Sequence, residues 1–181
     1  MKLLSFLVIY VCMSSVVFGA DSPPQNQDNL TKPDLIAEYL KQPLELRTQK
    51  NCNNGYGFDC TALGEWYASG YEKENIKKDT FKAFEYTSKG CDLLFPEACY
   101  NLGVMYSTGS GVKQDYFKAV EFYKRACAGD YASGCYNLGV MYFNGHGVRQ
   151  SKTEALSYYG KACDLKDQDG CDSYAKLNTG K

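Results

Sequence analysis

Eight cysteines set the frame for this chain. They fall as Cys52/Cys60, Cys91/Cys99, Cys127/Cys135 and Cys163/Cys171, each pair eight positions apart. From Cys91 to Cys127 to Cys163 the step is 36 residues, and Cys99, Cys135 and Cys171 keep it. Between the first and second pairs the step is 39, and the charged stretch Tyr71 to Asp79 is the natural seat of the three extra residues. Other residues share the period. Leu63-Gly64, Leu102-Gly103 and Leu138-Gly139 open matching segments that run to Tyr67, Tyr106 and Tyr142, while Ala83, Ala119 and Ala155 mark a second segment. A Gly-rich turn separates the two, Gly109-Ser110-Gly111-Val112 in one unit and Gly145-His146-Gly147-Val148 in the next. A period of this length, kept at so many positions, is the signature of a repeat architecture.

Each unit reads as two helices. In the second, Phe117, Val120, Phe122, Tyr123 and Ala126 recur at helical spacing, with Gly and charge at the ends. Neither helix can bury its apolar stripe alone, and stacking unit on unit buries it. The predicted fold is therefore all-α, a right-handed α/α solenoid over residues 34–177, with repeats at 60–98, 99–134 and 135–170. Residues 34–59 read as a degenerate N-terminal half-unit, Leu44 standing where Ala83 stands, and 171–177 begin a terminal first helix. The stretch 21–33 holds three Pro among Gln and Asn and reads as a flexible tether.

Lys2, the apolar run Leu3 to Phe18 and the small residues Gly19 and Ala20, with Val17 three before Ala20, have the layout of a secretory signal over residues 1–20. The run barely reaches the roughly 20 apolar residues that a membrane span needs. Of nine cysteines, Cys12 leaves with that signal, and the remaining even number in an exported chain is the arithmetic of a disulfide framework. The expected location is secreted or periplasmic, without membrane attachment after cleavage. Lys plus Arg is 20 and Asp plus Glu is 21, so the chain has no overall field for nucleic acid or an anionic membrane. The single His excludes multi-histidine metal sites. Seven residues between paired cysteines do not fit zinc spacing, and no Cys-x-x-Cys is present. No metal and no cofactor is expected, and the chain is expected to be a monomer.

The segment Cys99-Tyr-Asn-Leu-Gly-Val-Met-Tyr106, the Gly-x-Gly-Val turn, Lys118-Ala119 and Tyr123-Lys-Arg-Ala126 resemble the Sel1-like repeats, relatives of the tetratricopeptide repeats. A cysteine pair in every repeat narrows the resemblance to the secreted Helicobacter cysteine-rich proteins, over residues 34–177. The departures are the three-residue insertion in the first repeat and Lys89-Gly90 in the stretch equivalent to Ala126. On this frame each cysteine pair joins the end of one unit's second helix to the start of the next unit's first helix, at Cα separations of about 5–6 Å. Closing a loop of about nine residues contributes roughly 2.5 kcal/mol in the chain-entropy account. Four such bridges reach about 10 kcal/mol, the scale of a whole domain's stability.

The resemblance also implies a ligand laid across a concave surface of first helices, where an Asn just before Leu-Gly binds ligand backbone. Asn101 and Asn137 hold that place, and each amide offers donor and acceptor. The first repeat has Ala62 there and the terminal stub Ser173. Tyr100 and Tyr136, beside the Asn residues, either add flat amphipathic contacts or pack between repeats. The partners this implies are an extended peptide, a peptidoglycan fragment, a β-lactam or a host protein. Relatives have been described as penicillin-binding proteins or weak β-lactamases, so a β-lactam amide hydrolase is the alternative reading. Ser110-Gly-Val-Lys113 and Ser173-Tyr-Ala-Lys176 match Ser-x-x-Lys, but no Lys-Thr-Gly or Ser-Asp-Asn accompanies them. His146 stands where the preceding repeat has Ser110 and reads as a solvated turn residue. No catalytic residue is identified. Lys118, Lys124 and Arg125, partly matched by Lys161, read as a solvated basic face, and Glu65 has no evident charged partner in sequence.

Overall fold

The computed structural model describes residues 32–179. The expected signal (1–20) and residues 21–31 of the expected tether lie outside the described residues. Lys32 and Pro33 differ from the expectation: they open a helix, a place that proline tolerates because the first helical N–H groups lack partners anyway. Nine α-helices follow in order: α1 Lys32–Lys41, α2 Leu44–Asn53, α3 Gly57–Ser69, α4 Thr80–Asp92, α5 Pro96–Thr108, α6 Tyr116–Ala128, α7 Ala132–Asn144, α8 Lys152–Asp164 and α9 Gln168–Thr179. The described residues contain no β-strand. Contacts divide the chain into a unit ending at Ala37, of which the first turns of α1 are described, and a unit from Glu38 onward that holds the repeats. In that second unit each helix packs on the next from α2 to α9, forming an α/α solenoid.

Local chemistry sets the helix ends. Asp79, Asp115 and Ser151 cap α4, α6 and α8, their side chains accepting backbone N–H groups of the first turn. Pro96 opens α5, and α5 and α7 stop at Gly109 and Gly145, both left-handed with φ of 77° and 73°. In each repeat the capping residue also donates its N–H to the tyrosine carbonyl near the end of the first helix. These bonds are Asp79 to Tyr67, Asp115 to Tyr106 and Ser151 to Tyr142, at 2.8–2.9 Å. The insertion in the first repeat keeps this bond because it folds on itself. Tyr71 and Ile76 exchange backbone hydrogen bonds around a short 3-10 turn, Ile76 is buried, and Tyr71 stacks on Trp66 at 5.0 Å.

The Leu-Gly pairs are notches between the two helices of a repeat. Leu63, Leu102 and Leu138 are fully buried. A Cβ on Gly103 would lie 2.6 Å from the Tyr123 ring, and one on Gly139 would lie 2.7 Å from Tyr159. The Gly-rich turns work between repeats: Gly147, at φ 68°, lies so close to the Tyr116 carbonyl that no side chain fits, and Gly111 approaches Thr80 in the same way. The His146 ring stacks on Tyr116 at 4.8 Å beside that contact.

Four disulfides join each second helix to the next first helix, with Cα separations of 4.7, 4.5, 4.5 and 4.4 Å from Cys52–Cys60 to Cys163–Cys171. Bridges of this number belong to an oxidising compartment such as the periplasm or the extracellular space. Two cations expected on a solvated face are engaged here instead. Arg125 donates to the Cys91 carbonyl at 2.7 Å, and Lys161 donates to the Cys127 carbonyl at 2.8 Å. Each satisfies the C-terminal carbonyls of the preceding second helix and meets the negative end of its dipole. At the N-terminal end, Tyr67 donates its hydroxyl to Glu45 of α2, and Gln49 donates to Tyr86 at 2.8 Å. The helix α2 therefore serves as a second helix for the unit that follows it.

Candidate ligand-binding face

Successive first helices also pack on one another, α3 on α5, α5 on α7 and α7 on α9. Each buries one side and leaves a stripe free. In α5 the residues Ala98, Cys99, Leu102, Gly103 and Met105 are buried. The other side carries Glu97, Asn101, Val104 and Thr108, spaced as neighbours on one helix face. The same spacing places Phe58, Ala62, Glu65 and Ser69 together on α3, and Ser133, Asn137, Val140 and Asn144 together on α7.

Polar groups from three helices meet on this face. Asn101 donates its amide N–H to Glu65 at 3.2 Å, across from α5 to α3. The hydroxyl of Tyr131, the N-cap residue of α7, lies beside Glu97. Burial is the larger cause holding the Glu97 carboxyl above the usual carboxylate range, the negative charge of Glu65 adds to it, and the Tyr131 hydroxyl partly offsets both. The Tyr131 phenol is raised in turn, first by burial and then by the charge of Glu97. Among the described residues the ion pairs are Arg125–Asp92 at 3.9 Å and Lys161–Asp130 at 3.0 Å. Neither Glu65 nor Glu97 belongs to one.

The residues expected from sequence divide here. Asn101 stands on the free stripe, half-buried, with its amide N–H donated to Glu65. Asn137 holds the same register, but it lies near the hydroxyl of Tyr123, a residue that is 3% exposed and whose hydroxyl meets that of Ser107 at 3.1 Å. Tyr100 is half-buried, its ring 6.1 Å from Tyr123 and 5.1 Å from Tyr131, and Tyr136 lies 5.6 Å from Tyr159. Both tyrosines pack between helices. Sequence reasoning passed over Glu97, Phe58 and Tyr131. The signal for the first two was the four-residue step back along the helix from Asn101 and from Ala62.

The hydrolase candidates occupy three separate segments. Ser110 is exposed in the α5–α6 turn, His146 lies in the α7–α8 turn, and Ser173 with Lys176 sits on α9. An open cleft of about 660 Å³ runs beside the α5–α6 turn, lined by Tyr106, Val112, Lys113, Phe117, Lys118 and Gly147. Among the described residues no three His, Cys, Asp or Glu side chains gather as metal ligands, and no helix is long and apolar enough to cross a membrane.

The Sel1 repeat profile matches residues 59–93, 96–131 and 132–167, more than half of the chain. The chain belongs to the Sel1 repeat family. Its helix pairs superpose on those of other Sel1 proteins. A Sel1 repeat protein from Oxalobacter formigenes shares 23% identity at a TM-score of 0.66, over 72% of this chain and 96% of that one. Helicobacter pylori cysteine-rich protein B shares 29% identity at a TM-score of 0.56, over 78% of this chain and 96% of that one. A protective antigen of uropathogenic Escherichia coli with an SLR fold shares 29% identity at a TM-score of 0.65. That match covers 70% of this chain and 26% of the antigen, so the Sel1 chain spans about a quarter of its length. No curated protein sequence matches the chain. Repeats of this kind generally mediate protein–protein interactions, and the chain is a disulfide-stapled repeat scaffold of that type.

Proposed function

We propose that this Sel1 repeat protein is an exported scaffold that holds an extended peptide along the free stripe of α3, α5 and α7. The observation that carries the reading is the cross-helix group of Asn101, Glu65, Glu97 and Tyr131, which is polar, partly open to solvent and free of ion pairing with Lys or Arg among the described residues. A side-chain amide bonded on one side and open on the other can meet the backbone of an extended chain. The four disulfides support the export part of the reading, in which a leader at 1–20 delivers the scaffold to the periplasm or out of the cell.

The two asparagines separate under mutation. Asn101→Ala removes a group on the free face and is expected to weaken peptide capture about tenfold, near 1.4 kcal/mol, with the melting temperature unchanged. Asn137→Ala removes a polar group beside a buried hydroxyl and is expected to cost about 1 kcal/mol of stability. Fluorescence anisotropy with a library of unstructured peptides, paired with thermal unfolding of each variant, reads both effects. Full peptide binding by Asn101→Ala would remove the proposed face.

A further inference from the structure

We propose that the peptide taken by this face carries a basic side chain, Lys or Arg, with a bulky apolar residue about three positions away. The inference rests on the peptide-binding reading and states what that peptide must contain. The argument comes from equivalent positions in successive repeats. Two residues before the first-helix cysteine stand Phe58, Glu97 and Ser133, and four before it stand Tyr56, Phe95 and Tyr131. Phe58 meets Phe95 edge-on at 6.1 Å, whereas one repeat further along Glu97 meets Tyr131. The face therefore offers an apolar rung followed by an acidic one.

The apolar rung is more exposed than folding requires. Phe58 is 65% exposed and Tyr56 61%. In the turn that leads into Phe95, Leu94 is 79% exposed and left-handed at φ 62°, where the other repeats have Gly55, Asp130 and Lys166. A solvent-facing leucine in a backbone region that disfavours it adds nothing to the core. The acidic rung is defined by charge. Glu65 and Glu97 are close enough for one to raise the other's proton affinity, Asn101 donates its amide N–H to Glu65, and the Tyr131 hydroxyl lies beside Glu97. A Lys ammonium or Arg guanidinium supplies the positive charge that the face lacks. Adjacent packed helices lie about 8–10 Å apart and an extended chain advances about 3.3 Å per residue, so neighbouring rungs read side chains about three positions apart.

The test uses the chain purified from a periplasm with its disulfides formed. Fluorescently labelled, end-blocked peptides with Leu and Lys three apart, in both orders, are titrated by anisotropy against versions with Glu for Lys and Ser for Leu. The Lys peptides are expected to bind at least about tenfold more tightly than the Glu peptides, a margin that salt erodes. Glu97→Gln and Glu65→Gln are expected to remove most of that margin. Phe58→Ser, a change at an exposed position, is expected to remove the preference for Leu over Ser and to leave the charge preference in place. Equal binding of Lys and Glu peptides, still weakened by Asn101→Ala, would overturn this specificity and leave the peptide-binding reading standing. Failure of every peptide to bind would overturn both. Sedimentation showing a dimer that Phe58→Ser dissociates would assign the apolar rung to a second copy of the chain and overturn the proposal.

Discussion

At Gly139 the Cβ of any other residue would come within 2.7 Å of the Tyr159 ring. That ring is 5% exposed, and burial, with a smaller contribution from Tyr136, pushes its phenol up to about 12. A ring this sealed has little room to yield. Gly139→Ala should therefore lose more by overpacking, about 1–3 kcal/mol, than it gains from helix propensity, about 1 kcal/mol. A net loss of about 1 kcal/mol is expected in urea unfolding, with partial recovery when Tyr159→Leu is added. A stabilised Gly139→Ala would show that the notch is not tight. This notch was legible in sequence, because Leu102-Gly103 and Leu138-Gly139 repeat at one spacing and their ring partners Tyr123 and Tyr159 repeat with them. The bond from Asn101 to Glu65 was not, because Glu65 has valine, Val104 and Val140, at the equivalent positions of the next two repeats. A contact made once, with a partner that does not recur, leaves no periodic trace. Glu97 also breaks the repeat, its counterparts being Phe58 and Ser133, so that only its four-residue step from Asn101 marks it.

At the scale of elements the four bridges are chemically alike but differently placed. Cys52, Cys60, Cys91, Cys99, Cys127 and Cys135 are each at most 3% exposed, whereas Cys163 and Cys171 are only half-buried. The helix α9 that the last bridge holds has Gly170 as its single buried residue. Attack by an external thiolate depends on access, so mild reductant should open Cys163–Cys171 first. Alkylation followed by peptide mapping is expected to find those two thiols labelled while the other six remain paired. Early labelling of Cys52 and Cys60 would contradict this ordering. The pairing of second helix to first helix was readable from the cysteine spacing together with the family resemblance. Helix limits were read less well. The chain enters α9 at Gln168, ahead of the expected terminal helix 171–177, because the helix starts from the turn around Lys166 (φ 73°) and not at the cysteine. The stretch Tyr71 to Asp79 was read as the seat of the three extra residues from the 39-residue step, but its self-paired turn depends on Ile76 finding a buried site under Tyr71 and Trp66, which no local pattern announces.

Across the whole repeat unit the chemistry is uneven in a way that a uniform scaffold would not need. The core positions repeat almost unchanged, while the free stripe of the first helices runs from Phe58 to Glu97 to Ser133 at one register and from Ala62 to Asn101 to Asn137 at the next. Stability therefore resides in the parts the repeats share, and the proposed recognition in the parts they do not. The Sel1 family membership accounts for the first and leaves the second to this chain's own residues. The most direct test is a crystal structure of the disulfide-bonded protein with a bound Leu-x-x-Lys peptide. The peptide is predicted to lie extended over α3 and α5, its Lys ammonium between Glu65 and Glu97 and its Leu against Phe58. A peptide seated instead in the cleft between Val112 and Phe117, or on the outer face of α4 and α6, would contradict the account.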